Sequence, residues 1–231
     1  MKLFSLAFFL LIAMSTVTGA DEKAVPLSQE PHHKLVFEND ATRVWDVTVP
    51  AHESTLLHKH DHNYVAVVLG PARTQNAIAG KPVTSATVME GEIRYVTSPL
   101  VHRVTNAGET PFHNFTIEIL KKKPTPKTAQ KAERGLDIGH GGLTDVAVDN
   151  DEVRVSEVQI SAGGMLHKQP HPYPYLLVAL TGLSLDAAPQ GKPPVMMEQK
   201  DKTAKWFPAG APQEMMNMGK QEARFIMVEF K

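Results

Sequence analysis

At 231 residues the chain is long enough for one large domain or two of about a hundred residues each. Its 24 Lys and Arg against 25 Asp and Glu leave a formal net charge of −1, so no electrostatic footprint for nucleic acid is present. The absence of cysteine excludes disulfides and thiolate metal sites, and leaves His, Asp, Glu and weaker groups as ligands.

Lys2 gives the chain a basic start, Leu3 to Ala13 is apolar apart from Ser5, and Thr18-Gly19-Ala20 places small residues where a signal peptidase reads. This pattern predicts a signal peptide over residues 1–20, cleaved near Ala20, and a periplasmic or extracellular protein. The apolar core is shorter than the roughly 20 residues of a spanning helix. An uncleaved anchor is the alternative. No lipid-bearing cysteine follows, so the mature protein is expected to be soluble, with no stable membrane anchor.

After a polar lead over Asp21–Pro31 the pattern becomes β-like. Leu35-Val36-Phe37 comes first, then Arg43–Val49, in which Val44, Asp46 and Thr48 face one way and Trp45, Val47 and Val49 the other. That is the pattern of a half-buried strand. Further strands are expected at Tyr64–Leu69, Thr84–Met89, Ile93–Thr97, His102–Thr105 and Phe115–Leu120. Pro, Gly and Asn separate them, and no long segment of this half has helical periodicity. Lys121-Lys122-Lys123-Pro124-Thr125-Pro126-Lys127 is basic and Pro-rich and reads as a linker that continues to Arg134.

From Gly135 the chain repeats itself at an offset of 111 positions. Asn39 falls on Asn150, Arg43-Val44 on Arg154-Val155, His60 on His171 and Tyr64 on Tyr175. Gly80-Lys81-Pro82 falls on Gly191-Lys192-Pro193, Tyr95 on Trp206, Asn106 on Asn217, Gly108 on Gly219 and Glu118 on Glu229. One spacing serves from end to end without a gap, which chance does not supply. Two copies of one β-rich unit are therefore expected, over residues 31–121 and 135–231, joined by a linker over 122–134.

The stretch Leu57-His58-Lys59-His60-Asp61-His62-Asn63-Tyr64 carries the chemistry. Side chains two apart on a strand share a face, so His58 and His60 can aim at one point. Neutral imidazole is the commonest protein ligand for a first-row metal. A polar strand face that happens to hold histidines is the plainer alternative. A second signal runs from Gly91-Glu92 to Ser98-Pro99-Leu100-Val101-His102-Arg103-Val104-Thr105-Asn106. Pro50 followed by His58-Lys59-His60 and closing at Gly70 resembles the first motif of the cupin family. The Gly-acidic opening, the Pro turn and His102 four residues before Asn106 resemble the second. Phe207-Pro208-Ala209-Gly210 with Asn217 fits the second frame again.

The whole is similar to a two-domain cupin, or bicupin. This resemblance implies an all-β fold of two tandem antiparallel jelly-roll barrels, the second a repeat of the first. It also implies that His58, His60 and His102 converge on one divalent metal inside the first barrel. The sequence departs from the family pattern in three places. His52 stands where a Gly usually opens the first motif, no glutamate supplies the common fourth ligand, and the segment from His60 to Gly70 is a residue short. His62 could be a fourth ligand or could sit in the turn after the strand. Tyr64, near the missing glutamate, could hydrogen-bond a metal-bound ligand as a candidate catalytic group, or simply pack. Glu118 could orient a ligating imidazole, although its counterpart Glu229 argues for a structural role.

In the second copy His58 becomes Gln169 and His102 becomes Gln213, leaving His171 alone, so no metal is expected there. His32, His33, His52, His113 and His140 read as surface or loop residues. The methionines Met196, Met197, Met215, Met216 and Met218 read as flexible core filling. Iron or manganese, as Fe(II) or Mn(II), would suit dioxygenation of a small organic substrate; Zn(II), Ni(II) and Cu(II) also suit three imidazoles. A binding protein without turnover is the alternative. The expected partner is a small-molecule ligand. Monomer and homodimer both remain open.

Overall fold

The computed structural model describes residues 22–121, 134–137, 140–167, 171–188, 193–210 and 214–231. The expected signal peptide and nearly all of the expected linker lie outside the described residues. No helix among the described residues is long and apolar enough to cross a membrane. The first half contains β1 (Val25–Pro26), β2 (His33–Glu38), β3 (Thr42–Val49), β4 (His58–His60) and β5 (Tyr64–Val68). It continues with β6 (Ala72–Ile78), β7 (Thr84–Val88), β8 (Ile93–Val96), β9 (Leu100–Asn106) and β10 (Phe112–Ile119). The second half contains β11 (Arg134–Asp137), β12 (Gly142–Asp149), β13 (Val153–Ile160), β14 (Met165–Leu166) and β15 (Tyr175–Ala179). It ends with β16 (Leu183–Ala188), β17 (Val195–Gln199), β18 (Ala204–Phe207), β19 (Glu214–Asn217) and β20 (Ala223–Phe230).

These strands form two facing sheets per half, ordered β1-β4-β9-β6-β7 and β2-β3-β10-β5-β8, then β11-β12-β13-β20-β15-β18 and β14-β19-β16-β17. Each half is a jelly-roll barrel, and no sheet mixes strands of the two halves. Every expected strand of the first half is present. β6 was not foreseen: Ala-Arg-Thr-Gln-Asn-Ala-Ile is too polar to announce itself, although Ala72 and Thr74 are buried.

The repeat extends to single hydrogen bonds. Asn106 Nδ2 donates to the carbonyls of Val49 at 3.0 Å, Pro50 at 3.1 Å and Thr110 at 2.8 Å. Asn217 Nδ2 donates to Ile160, Ser161 and Gln221, each 111 positions further on, at 2.9, 3.2 and 2.8 Å. Backbone conformations repeat as well. His52 has φ 62° where its counterpart Gly163 has φ 70°, and Gly91 has φ 81° where Lys202 has φ 54°. His52 therefore occupies a left-handed position that suits glycine, the residue at the matching place in the second copy.

The barrels meet through the outer faces of β2-β3-β10-β5-β8 and the larger second-half sheet. Val44, Val65, Val67, Phe115 and Ile117 share one core cluster with Val155, Leu176, Val178, Ile226 and Val228. These are the same five positions of the repeat, so the seam is isologous, as in a twofold dimer. Phe37 stacks on Trp206 at 5.8 Å, and Tyr95 Oη donates to Glu152 across the seam at 2.6 Å. The half-buried reading of Arg43–Val49 holds at the half-buried Asp46 and the exposed Thr48 but not at Val44. Val44 is fully buried against the second barrel, while Trp45, Val47 and Val49 are buried inside the first.

Ile117 is 0% exposed in this seam. Ile117→Ala should cost about 2–5 kcal/mol and lower the urea midpoint of a single transition shared by both halves. Two separate transitions, with the second barrel unaffected, would contradict a joint core.

Candidate metal centre

β4 and β9 pair antiparallel with His58 directly opposite His102. His60 lies two residues along β4 on the same buried face, and Lys59 between them is exposed. Nε2 of His60 sits 3.2 Å from Nε2 of His58 and 3.0 Å from Nε2 of His102. The three histidines are 1%, 1% and 6% exposed, in the order His58, His60, His102. The structure thus brings the two motifs together at one point.

What lies behind each ring fixes its protonation. Nδ1 of His58 is 2.9 Å from the Leu56 carbonyl, which can only accept, so Nδ1 carries the proton and Nε2 presents a lone pair. Nδ1 of His102 donates in the same way to Asn76 Oδ1 at 2.9 Å. His60 is caught between two lone pairs. A proton on its Nε2 can satisfy one of them and leaves the other unmet. A proton on its Nδ1, which is buried with no partner, leaves three lone pairs facing each other. A second proton is no remedy. Burial, with the charge of neighbouring imidazoles added, pushes His58 down to about 4, His102 to about 3 and His60 to about 2. A divalent cation resolves the conflict. The nitrogen spacings suit ligands about 2.1 Å from a common ion, and the donor set fits a first-row metal.

The triad opens into a cavity of about 430 Å³. Its wall is apolar at Val47, Val49 and Phe112, with Arg94 and Lys81 as cationic groups and no Asp or Glu among its lining residues. Tyr64 lines the cavity and stacks on His60, with centroids 4.3 Å apart and planes at 23°. Burial raises its phenol well above the usual range, so the hydroxyl stays protonated. His62 is not brought to the triad. It sits in the bend after β4 and lines a separate cleft with Trp45 and Glu118.

Two sequence readings need correction. Glu118 does not orient a ligating imidazole; its Oε2 accepts from Trp45 Nε1 at 2.9 Å. In the second barrel Ser156 replaces Trp45, and Glu229 is left to bind His171 Nδ1 at 3.0 Å. His33, read as a surface residue, has only 4% of its side chain exposed. Its ring lies 4.8 Å from that of His58 and 6.2 Å from that of His60, and it lines the cavity. The reason is a register shift between Leu35 and Phe37 that breaks the alternation of β2. Phe37 then faces the seam, while His33, opposite Val47, faces the cavity. Asn76 was missed with the strand that carries it. Gln169 and Gln213 lie outside the described residues.

No protein-family model matches the chain, and no curated protein matches it in sequence. Solved structures do. The putative glyoxylate induced protein from Pseudomonas aeruginosa superposes with TM-score 0.65 at 13% identity, covering 86% of this chain and 79% of that one. The chain has the two-barrel cupin fold. Oxalate decarboxylase from Bacillus subtilis, described with Mn(II) centres, gives this chain a TM-score of 0.60 at 12% identity, over 91% of this chain and 78% of its own. Salicylate 1,2-dioxygenase from Pseudoaminobacter salicylatoxidans gives 0.59 at 8% identity, over 82% and 68%. At these identities the likeness concerns the fold, and the site stands on its own geometry.

The depressed histidines set a pH dependence for the metal-free protein. Below the unfolded value of about 6.5 the unfolded chain takes up protons that folded His58, His60 and His102 refuse, so stability falls as pH drops from 7 toward 4. Thermal melts at stepped pH should show this slope, and it should be shallower in His60→Gln. Equal slopes in the two proteins would mean that His60 is protonated normally in the folded state.

Proposed function

We propose that this bicupin is an exported metal-binding protein whose first barrel holds one divalent ion on His58, His60 and His102. Fe(II) or Mn(II) is preferred over Zn(II), Ni(II) and Cu(II), and the proposed activity is oxidation of a small organic acid as a dioxygenase. The observation that carries this reading is the convergence of three ring nitrogens at 3.0–3.2 Å, two of them stripped of protons by the acceptors behind them. A metal there would supply Lewis acidity and open positions for a small molecule.

The rest of the cavity supports an anionic substrate. Three neutral ligands leave the ion's charge uncompensated, and the wall adds Arg94 and Lys81 but no carboxylate. Arg94 spends its Nε and one Nη2 hydrogen on Glu92, which offsets part of its charge, fixes the direction of the guanidinium and leaves the Nη1 side for a substrate carboxylate. Tyr64 and the apolar wall exclude water on the other side. Two of the compared structures are named for oxalate and salicylate, both carboxylates. The second barrel serves as the packing partner that closes the seam, and the chain acts on its small-molecule partner as a monomer or a homodimer.

One observation favours the alternative, a binding protein without turnover. The cavity wall has no carboxylate for acid–base work. Metal analysis of the purified protein followed by oxygen uptake with small carboxylates, phenols and keto acids separates the two. About one ion per chain with substrate-dependent oxygen consumption supports the dioxygenase. Metal that tightens ligand binding without a product assigns the binding role. In either case His60→Ala and His102→Ala should each weaken metal retention at least 10–100-fold, the range seen for loss of even a supporting partner. Full retention in both variants would remove the site.

A further inference from the structure

Behind the triad stands a buried acid–imidazole pair that the reading above does not use. Glu30 is 2% exposed, and Glu30 and His33 meet at 2.5 Å between Oε2 and Nδ1. The same carboxylate accepts the backbone amide of His32 at 2.9 Å and, through Oε1, that of Leu56 at 3.1 Å. Leu56 in turn accepts Nδ1 of His58 through its carbonyl. One carboxylate therefore braces two imidazoles, His33 directly and His58 through a single residue.

With Nδ1 committed to Glu30, the remaining ring nitrogen of His33 is free to act as a ligand. One ligand atom each from His33, His58 and His60 fall within 4.8 Å of one another. That span is wider than the spacing within the triad and exceeds the roughly 4.2 Å that can separate two ligands each about 2.1 Å from one ion, so the His33 ring has to move inward by about half an ångström to share it. We propose that His33 is a fourth imidazole ligand of the ion held by His58, His60 and His102, and that Glu30 is the carboxylate that orients it. The inference rests on the first barrel binding a metal at all. A carboxylate behind a ligating imidazole fixes its tautomer and raises its basicity. The site thereby gains a negative charge one hydrogen bond away from the ion, in a cavity whose own wall supplies none.

The four ligands come from unlike places. His58 and His60 share β4, His102 faces them from β9, and His33 reaches in from β2 of the opposite sheet. An ion held this way clamps the two sheets of the barrel together. Fewer positions then remain for exogenous molecules than a three-histidine centre would leave.

Anaerobic titration of the metal-free full chain with Co(II), read by its visible absorption bands, and X-ray absorption of the Zn(II) form test this. Four imidazoles are expected in the wild type and three in His33→Gln. The variant should still take one ion per chain, with an affinity lower by about 10–100-fold. Glu30→Gln should weaken binding about tenfold at the same stoichiometry, and free imidazole should restore the wild-type bands to His33→Ala. Three imidazoles in the wild-type protein overturn the proposal whatever any variant does. So does a His33→Gln protein with unchanged affinity and bands. A wild-type protein that takes up neither Co(II) nor Zn(II) overturns the parent reading instead.

Discussion

The first barrel depends on keeping lone pairs pointed at one another in a place where water cannot separate them. His58 and His102 are each held by an acceptor on Nδ1, and His60 is wedged between them with its own Nδ1 unmet. An arrangement of this kind costs free energy while it lacks a cation, because buried polar atoms without partners are expensive. The fold must supply the rigidity that prevents relaxation. It does so with the direct register of His58 against His102 across β4 and β9, and with Asn76 held by the neighbouring β6. Tyr64 stacked on His60 closes the remaining direction.

Much of this was legible in the amino-acid order. The alternation His58-Lys59-His60 fixed the shared face, and the spacing of His102 from Asn106 located its partner strand. Asn106 turned out to be a cap that ties three backbone carbonyls, which explains why an asparagine stands there. The supporting residues were harder to see because their evidence is not periodic. β6 alternates between buried and exposed positions with polar side chains on both faces, so hydrophobic pattern cannot find it. His33 was lost to a register shift: strict alternation puts residues 33, 35 and 37 on one face, whereas the break after Leu35 sends His33 and Phe37 to opposite sides. The outward face of Val44 looked like a solvent face until a second barrel covered it.

The two halves show how one substitution redirects a network. Glu118 and Glu229 occupy the same position of the repeat and are both buried. Trp45 captures the first through its indole N–H. At the matching place Ser156 offers no such donor, and Glu229 turns to His171. The first barrel thus leaves His60 unpaired on its inner nitrogen, while in the second the corresponding histidine meets a carboxylate. The described cavity of the second barrel has a different character, with Arg154 and Lys231 lining it beside His171 and no second imidazole.

The isologous seam has a consequence for how the molecule responds to dilution. Two separate barrels joined by the same faces would part as their concentration fell, since their association would be bimolecular. Carried on one chain, the pairing becomes intramolecular, with an effective concentration on the order of millimolar for a short tether. Covalent fusion lets the apolar faces around Ile117 and Val228 stay covered in a dilute medium, and frees each barrel's interior to differ from the other's without breaking the match between their outer surfaces.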